Sequence, residues 1–148
     1  MSNPKPRGAW AIIYCPAQRS LLFGKRSMTV NSPGLWNLFG GRLEPGESPR
    51  AGLLRELREE AGLSPPRNRL IHCGRITGAD IGSKKYTGPL RELDFFLVIA
   101  GYEVELTLNH EHSEHRWFNQ SKLPRNVNPP TAVAIQIGLI QKALEAYR

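Results

Sequence analysis

The sequence of 148 residues has few cysteines, no long apolar run and a shortage of acidic residues. Its two cysteines, Cys15 and Cys73, are too few for a disulfide framework and lack C-x-x-C spacing, so we expect buried free thiols and a reducing, cytoplasmic setting. No apolar run approaches the roughly 20 residues that cross a bilayer, and residues 1–8 lack the apolar segment of a signal peptide. These absences argue against a membrane protein and a disulfide-stapled secreted domain.

The charge balance is basic, with 20 Lys and Arg against 13 Asp and Glu and a formal net charge of +7. An excess of this size favours anionic partners such as nucleotides or nucleic acid, although it also fits a basic surface that only aids solubility. Hydrophobic residues make up 40% of the chain, as in globular proteins. We therefore predict one domain over residues 1–148, in which 1–7 form a flexible arm.

The most informative stretch is residues 40–63, which joins a glycine turn to a capped helix. Ser48 is expected to cap the helix, Pro49 suits its first position because the missing N–H costs nothing there, and Gly62 ends it. The helix also carries an apolar stripe at helical spacing. Its members are Leu53, Leu54, Leu57 and Ala61.

Three carboxylates of this helix, those of Glu56, Glu59 and Glu60, are spaced i, i+3 and i+4 and so share one face. Like charges this close repel one another, which a divalent cation would relieve, and carboxylate oxygens suit Mg²⁺ or Mn²⁺. Taken alone, the same spacing also fits a solvated acidic face flanked by Arg55 and Arg58.

A longer pattern decides between these interpretations, because every fixed position of a known motif is filled. The stretch resembles the Nudix box, although many relatives have proline where Phe39 stands. The matching residues are Gly41, Glu47, Arg55-Glu56-Leu57, Glu59-Glu60 and Gly62-Leu63.

The resemblance implies an α/β/α sandwich with a mixed sheet between the box helix and a C-terminal helix. It also implies Mg²⁺-dependent hydrolysis, with Mn²⁺ as a substitute, of a phosphoanhydride in a nucleoside diphosphate linked to another group.

The resemblance also implies roles for individual box residues. Glu47 and Arg55 would form an ion pair that holds the loop against the helix. The implied metal ligands are the Gly40 carbonyl and the carboxylates of Glu56, Glu59 and Glu60.

A second acidic candidate is the segment 110–115, H-E-H-S-E-H. Its histidines and glutamates invite a zinc site, but no cysteine is near and the spacing matches no structural zinc pattern. In the family this region often supplies an extra glutamate near the metals, and the loop position favours Glu111 over Glu114. His112 and His115 are expected to contact phosphates or to be exposed. The base that activates water is left open among Glu56, Glu59, Glu111 and Glu114.

Substrate contacts are predicted from residue type. Lys25, Arg26 and Arg42 are candidates for the phosphates, since Arg42 lies inside the box loop and Lys25-Arg26 end a strand. Trp36 and Tyr86 are candidate platforms for the base, although aromatic residues in strands more often pack in the core.

The rest of the chain predicts a sheet and a final helix. Asn128 would cap that helix, and an apolar stripe of Val133, Ile137, Ile140 and Leu144 would face the core. Strands are predicted at 10–15, 21–25, 35–39, 70–76, within 91–101 and at 114–118, with a further strand or strand end at 103–108.

The substrate predicted first is a nucleoside or deoxynucleoside triphosphate, cleaved to monophosphate and pyrophosphate, because the short chain has no added specificity domain. ADP-ribose or a nucleotide sugar is the alternative. RNA is disfavoured because the lysines are scattered rather than forming a basic track. A non-catalytic nucleotide sensor is a different class, but such relatives commonly lose box glutamates, and all are retained here. Many family members dimerise, so a homodimer is an expectation without an identified interface.

Overall fold

The computed structural model describes residues 6–77 and 90–147. These ranges hold seven strands, three α-helices and a short 3₁₀ turn. In chain order they are β1 Arg7–Cys15, β2 Ser20–Arg26, β3 Trp36–Asn37, β4 Phe39–Arg42, α1 Pro49–Ala61, the 3₁₀ turn Arg67–Arg69, β5 Ile71–Thr77, β6 Glu92–Ile99, β7 His112–Asn119, α2 Pro129–Gln136 and α3 Leu139–Tyr147.

The strands form one mixed sheet that branches at β1. Along one side, β1 pairs in parallel with β6 over residues 7–14. Along the other side, β4 pairs with residues 8–11 and β2 with residues 14–15, both antiparallel. β2 then leaves β1 to pair with β3 and β7, while β5 closes the sheet beyond β6. The divergence of β2 from β4 leaves an opening in the sheet.

Helices cover both faces of the sheet, because side chains of β1 alternate between two apolar clusters. Ala11 and Ile13 pack in the cluster that contains Leu57 of α1. Ile12 packs in the other cluster, with Ile140 of α3. This arrangement confirms the predicted α/β/α sandwich.

Helix α1 begins and ends at the predicted residues. The Ser48 hydroxyl accepts a hydrogen bond from the Ala51 N–H at 3.2 Å, a cap that typically contributes about 1 kcal/mol. Gly62 ends the helix with φ 67°, and its N–H donates to the Arg58 carbonyl. Gly52 gives α1 its close contact with the preceding loop, since a Cβ there would collide with Leu43 and come within 2.8 Å of a Glu47 oxygen.

The predicted final helix is divided in two, which is a correction to the sequence interpretation. Asn128 caps α2 as expected, accepting from the Thr131 N–H at 3.2 Å. The chain then turns at Gly138, where φ is 76°, and α3 starts at the next residue. Ile137 therefore lies at the break and is 42% exposed, so its predicted place in the core stripe is wrong.

The predicted strand at 103–108 is also wrong, because this segment pairs with no strand of residues 6–77 and 90–147. It is an irregular strap tied to the end of α1, with the Thr107 N–H donating to the Ala61 carbonyl at 3.1 Å. The Trp117 indole N–H donates to the Val104 carbonyl at 3.2 Å. An alternating pattern cannot distinguish such a strap from a strand.

Two boundaries also differ from expectation. The predicted strand 35–39 is interrupted at Leu38, whose N–H donates to the Thr131 hydroxyl at 3.1 Å instead of to a strand. Arg7, placed in a flexible arm, begins β1 and donates to the Glu47 carbonyl at 2.9 Å.

Both cysteines are free, with Cys15 buried and Cys73 half-buried. No helix within the described ranges is long and apolar enough to span a membrane.

Substitution of Gly40 by alanine tests the tight pairing of β1 with β4. Gly40 has φ 147°, and a Cβ there would overlap the Ala9 carbonyl and lie 2.6 Å from the Trp10 Cα. We expect Gly40→Ala to lower the free energy of unfolding by roughly 3 kcal/mol or more, measured by urea denaturation. The matched control is Gly46→Ala, since Gly46 has φ 77° but nothing within 4 Å of a Cβ. That variant should lose only about 1 kcal/mol, and equal losses would contradict the packing argument.

Candidate active site

A cavity of about 370 Å³ opens where β2 and β4 diverge. Its walls come from distant parts of the chain: the acidic side of α1, the glycine turn Gly40–Gly41, the loop after β2, the residue before β7 and the start of α2. The cavity therefore joins the box stretch to three segments outside it.

Three carboxylates meet at one wall of this cavity. Glu56, Glu60 and Glu111 each place an oxygen within 4.8 Å of the others, and we call them the acidic cluster. Glu60 is 1% exposed, and its Oε1 has no hydrogen-bond partner in the described part of the chain. Burial, reinforced by its hydrogen bond and repulsion with Glu56, raises the pKa of Glu60 to about 10, and burial also raises the pKa of Glu56. Without a compensating cation, Glu60 therefore retains its proton at neutral pH.

Helix geometry explains why Glu60 is buried and Glu59 is not. At 3.6 residues per turn, Glu60 lies about 60° around the helix from the core residue Leu57, whereas Glu59 lies about 160° away. Packing Leu57 against the sheet therefore draws Glu60 inward, while the Glu59 side chain remains 51% exposed. The shared acidic face is split, and Glu59 does not join the acidic cluster in this structure.

Glu56 and Glu111, the other two members of the acidic cluster, are positioned by the residues around them. A Cβ on Gly41 would lie 3.2 Å from the Glu56 carboxylate, so the glycine leaves room for that group. The Glu111 N–H donates to the Asn109 side chain at 3.0 Å, and its carbonyl accepts from the Ser27 N–H at 2.9 Å. These bonds hold Glu111 between two loops.

Arg55 connects the loop to the acidic helix. Its Nε and Nη2 donate to the two Glu47 oxygens at 2.8 and 2.9 Å, and Nη1 reaches Glu56 at 3.0 Å and Glu59 at 3.3 Å. Nη2 also donates to the Arg42 carbonyl at 3.3 Å. The hydrogen bonds from Arg55 lower the pKa of Glu47 to about 2, and those with Glu47 raise the pKa of Arg55 further. This geometry is the ion pair that the resemblance implied.

Glu114 lies away from the cluster. It is on β7, where its Oε1 accepts from Arg116 at 3.1 Å and its side chain is 43% exposed. Of the two glutamates in segment 110–115, the structure thus brings only Glu111 to the cavity.

His112 is buried, so the expectation that it is exposed or contacts phosphate is wrong. Its ring lies 4.8 Å from that of Phe39, its Nε2 is 2.9 Å from Asn37 Oδ1, and its Nδ1 is 3.8 Å from Glu60 Oε2. Burial lowers the pKa of His112 to about 4, so the imidazole is neutral at neutral pH. His115 is only partly buried and lies 3.4 Å from Glu105 on the strap.

The sequence points to His112 as a candidate residue but not to its hydrogen-bond partner Asn37. The one sequence signal was Phe39, which stands where many relatives have proline and whose ring packs against His112. Nothing in the local pattern joins residues 37 and 112, because only the pairing of β2 with both β3 and β7 brings them together.

Two of the predicted phosphate-binding residues line the cavity, Arg26 and Arg42. The Arg26 guanidinium is held by the loop after β2, donating to the Asn31 carbonyl at 2.7 Å and to its side-chain oxygen at 2.5 Å. Its charge also lowers the pKa of Glu60, against the larger effect of burial. Arg26 therefore contributes positive charge close to the acidic cluster.

The other predicted substrate contacts lie elsewhere. Lys25 and Trp36 are not among the residues that line the cavity. The Trp36 ring instead packs edge-on against Phe118 at 4.9 Å, with the Arg116 guanidinium 5.1 Å above it. Tyr86 lies outside the described residues.

The donor set of the acidic cluster fits a hard divalent cation. Three carboxylates offer the oxygen ligands that Mg²⁺ and Mn²⁺ prefer, and the buried Glu60 Oε1 is an oxygen without a donor among the described residues. The carbonyl direction of Gly40 and the role of Glu59 remain predictions.

Comparison with known proteins identifies a common family. The sequence model of the NUDIX domain matches residues 4–141. The 8-oxo-dGTP diphosphatase of Proteus vulgaris is 35% identical over 107 residues, which are 72% of this chain and 88% of that protein. The CTP pyrophosphohydrolase of Escherichia coli K12 is 46% identical over 43 residues, 29% of this chain, and the match spans only 32% of its length.

A solved structure shows the same fold. The NUDIX domain of Shewanella oneidensis NrtR, complexed with ADP ribose, superposes with a TM-score of 0.74 and covers 99% of this chain and 91% of that chain. Its sequence is 17% identical, so the likeness extends to the fold alone.

The Glu47–Arg55 pair should make stability depend on pH. Because the folded pKa of Glu47 is lowered from 4.5 to about 2, its contribution is complete above the unfolded pKa and is lost as pH falls from 4.5 towards 2. We expect Glu47→Gln to lower the free energy of unfolding at pH 7 by about 1–3 kcal/mol, and by less at pH 3, measured by urea denaturation. Glu114→Gln, which removes an exposed pair, is the control and should cost less than about 1 kcal/mol at both values. A Glu47→Gln loss that is the same at pH 3 and pH 7 would refute this role.

Proposed function

The chain belongs to the Nudix family of hydrolases that cleave phosphoanhydrides, and on that premise we propose that it converts nucleoside or deoxynucleoside triphosphates to monophosphates and pyrophosphate. The observation that carries this proposal is the acidic cluster: Glu56, Glu60 and Glu111 meet at the wall of a nucleotide-sized cavity. A buried carboxylate with an unpartnered oxygen has a large electrostatic penalty, which a divalent cation at this wall would remove.

The acidic cluster would hold Mg²⁺, or Mn²⁺ in its place, and the Gly40 carbonyl and Glu59 are proposed as additional ligands. When bound, such a cation neutralises charge on phosphate oxygens and lowers the pKa of a bound water. Arg55 links Glu59 to the cluster, since its Nη1 lies 3.0 Å from Glu56 Oε1 and 3.3 Å from Glu59 Oε2.

The protein groups around the cluster have complementary roles. Arg26 and Arg42 line the cavity and would bind the phosphates, whose negative charge grows on the leaving group during cleavage. Glu111 is only partly buried and lines the cavity beside the carboxylates of α1, so we propose it as the group that orients or deprotonates the attacking water. Glu47 and Arg55 would act indirectly by fixing the loop that carries Arg42.

Triphosphates are favoured over other substrates by the relatives. One relative, of which the match covers 88%, is an 8-oxo-dGTP diphosphatase, and another is a CTP pyrophosphohydrolase. An ADP-ribose or nucleotide-sugar pyrophosphatase is the second candidate, because an ADP ribose complex has the same fold. We propose a small-molecule nucleotide as partner, and a homodimer remains a prediction.

A substrate panel tests the proposed function. The wild-type protein with Mg²⁺ would be given the ribonucleoside and deoxynucleoside triphosphates, 8-oxo-dGTP, ADP-ribose and UDP-glucose, with pyrophosphate and monophosphate as readouts. We expect monophosphate and pyrophosphate in equal amounts from at least one triphosphate, and loss of turnover with a chelator that is restored by added Mg²⁺. Cleavage of ADP-ribose or UDP-glucose alone would replace the leading substrate class with the second one.

Glu60→Gln separates the chemical role of the cluster from its structural role. The amide has the shape of the protonated acid and no charge, so the melting temperature without cation should be unchanged or higher. Turnover should fall on the order of 100-fold or more, because a cation ligand is lost. Glu114→Gln, on the exposed side of β7, should retain activity. Near-wild-type turnover by Glu60→Gln would contradict the assignment of the cation to this cluster.

A further inference from the structure

The guanidinium of Arg26 is bound along one edge and open along the other. Its Nε donates to the Asn31 carbonyl at 2.7 Å, and its Nη2 donates to the Asn31 side-chain oxygen at 2.5 Å. Both bonds use the Nε–Nη2 edge of the planar group. Nη1 donates no hydrogen bond to residues 6–77 and 90–147, although Arg26 lines the cavity. The Nη1–Nη2 edge is therefore left to a ligand or to water.

The loop after β2 is folded back so that Asn31 reaches this arginine. The Arg26 N–H donates to the Leu35 carbonyl at 2.8 Å, and the Arg26 carbonyl accepts from the Gly34 N–H at 2.9 Å. Ser32, the residue after Asn31, has φ 52°, a left-handed conformation that residues other than glycine rarely adopt. The loop thus binds both the backbone and the side chain of Arg26.

The partner of Arg26 is neutral, which distinguishes it from the other anchored arginine of the site. A carboxylate would hold a guanidinium equally well but would cancel its charge, as Glu47 does for Arg55 at 2.8 Å. The carbonyl and amide oxygens of Asn31 are uncharged acceptors. They fix Arg26 and leave its positive charge available to the cavity.

A guanidinium that is fixed in advance binds an anion better than a mobile one. Arginine has a long, flexible side chain, and the rotamer freedom that it loses on binding weakens the contact it forms. Hydrogen bonds made before the anion arrives remove most of that loss. The open edge also presents parallel N–H donors, which match two oxygens of one phosphate group.

We propose that Asn31 is a positioning residue, which holds the Nε–Nη2 edge of Arg26 so that the Nη1–Nη2 edge binds two oxygens of the substrate's diphosphate or triphosphate chain. The inference rests on the proposed function, in which Arg26 contacts the phosphates, and it adds the residue on which that contact depends. Asn31 acts through Arg26 in this assignment and does not itself bind the phosphate.

The first test needs neither ligand nor turnover. Relaxation of the ¹⁵N nuclei of arginine Nε–H groups reports how rigid each guanidinium is. We expect Arg26 to be rigid in the wild-type protein, mobile in Asn31→Ala and rigid again in Asn31→Asp, which keeps the accepting oxygen. Arg55, bound by both Glu47 oxygens, is the internal reference and should stay rigid in all three proteins. Equal mobility of Arg26 in wild type and Asn31→Ala would overturn the positioning role.

Affinity for inorganic pyrophosphate, measured by calorimetric titration with Mg²⁺ present, gives the second test. Asn31→Ala should weaken binding about fivefold in the wild-type background. In an Arg26→Met background it should weaken binding less than about 1.5-fold, because no guanidinium remains to be positioned. Arg42→Met is the matched control, since Arg42 also lines the cavity but its carbonyl is bound to Arg55. There the fivefold loss should persist.

The outcomes separate this inference from the proposed function. Equal losses from Asn31→Ala in the wild-type and Arg26→Met backgrounds would show that Asn31 acts independently of Arg26, and would overturn the inference. Unchanged pyrophosphate affinity in Arg26→Met would overturn it as well, by removing the phosphate contact. Coupled affinities in a protein that cleaves no triphosphate would instead support the positioning role and overturn the proposed reaction.

Discussion

The burial of one carboxyl group, that of Glu60, is the constraint on which the rest of the site depends. Leu53 and Leu57 must pack against the sheet to hold α1 in place, and Glu60 lies on the same side of the helix, so it is buried with them. An uncompensated charge there would be strongly destabilising. The surrounding features limit that penalty: Arg55 pairs with neighbouring carboxylates, Arg26 adds positive charge, and the cluster is open to a cation from the cavity.

The sequence predicts what is local and fails where distant segments meet. The ends of α1 follow from Ser48 and Gly62, because caps are set within one turn of the chain. The burial of Glu60 and the exposure of Glu59 also follow from helical periodicity, because Glu60 lies beside the apolar stripe and Glu59 lies away from it. The environment of His112 does not follow in this way, since it depends on the register of β7 against β2, which no local pattern encodes.

The strap at 103–108, which the sequence predicts as a strand, affects the position of the site. Its alternating residues suggest a strand, but Leu106 and Leu108 pack in the cluster beneath α1. The strap is anchored where the helix leaves a carbonyl without a partner, at Ala61, which accepts from the Thr107 N–H. Gly62 leaves space for this approach, as a Cβ there would lie 3.0 Å from the Thr107 Cβ. The helix cap thus also guides the chain towards the third carboxylate of the cluster.

If the proposed function is correct, reaction and specificity fall to different parts of the fold. The acidic cluster depends on α1, held rigidly between the sheet and the Glu47–Arg55 pair, which is what a reacting centre requires. The rest of the cavity wall comes from the loop after β2 and from the start of α2, where Asn128 and Pro129 lie. Helix α2 packs through Val133 and Ala134 in the cluster on the other face of the sheet from α1, so this part of the wall does not depend on the packing of α1. A chain that keeps every box position can therefore retain one reaction while its cavity is shaped for a different nucleotide, and relatives that act on different nucleotides are compatible with a shared box.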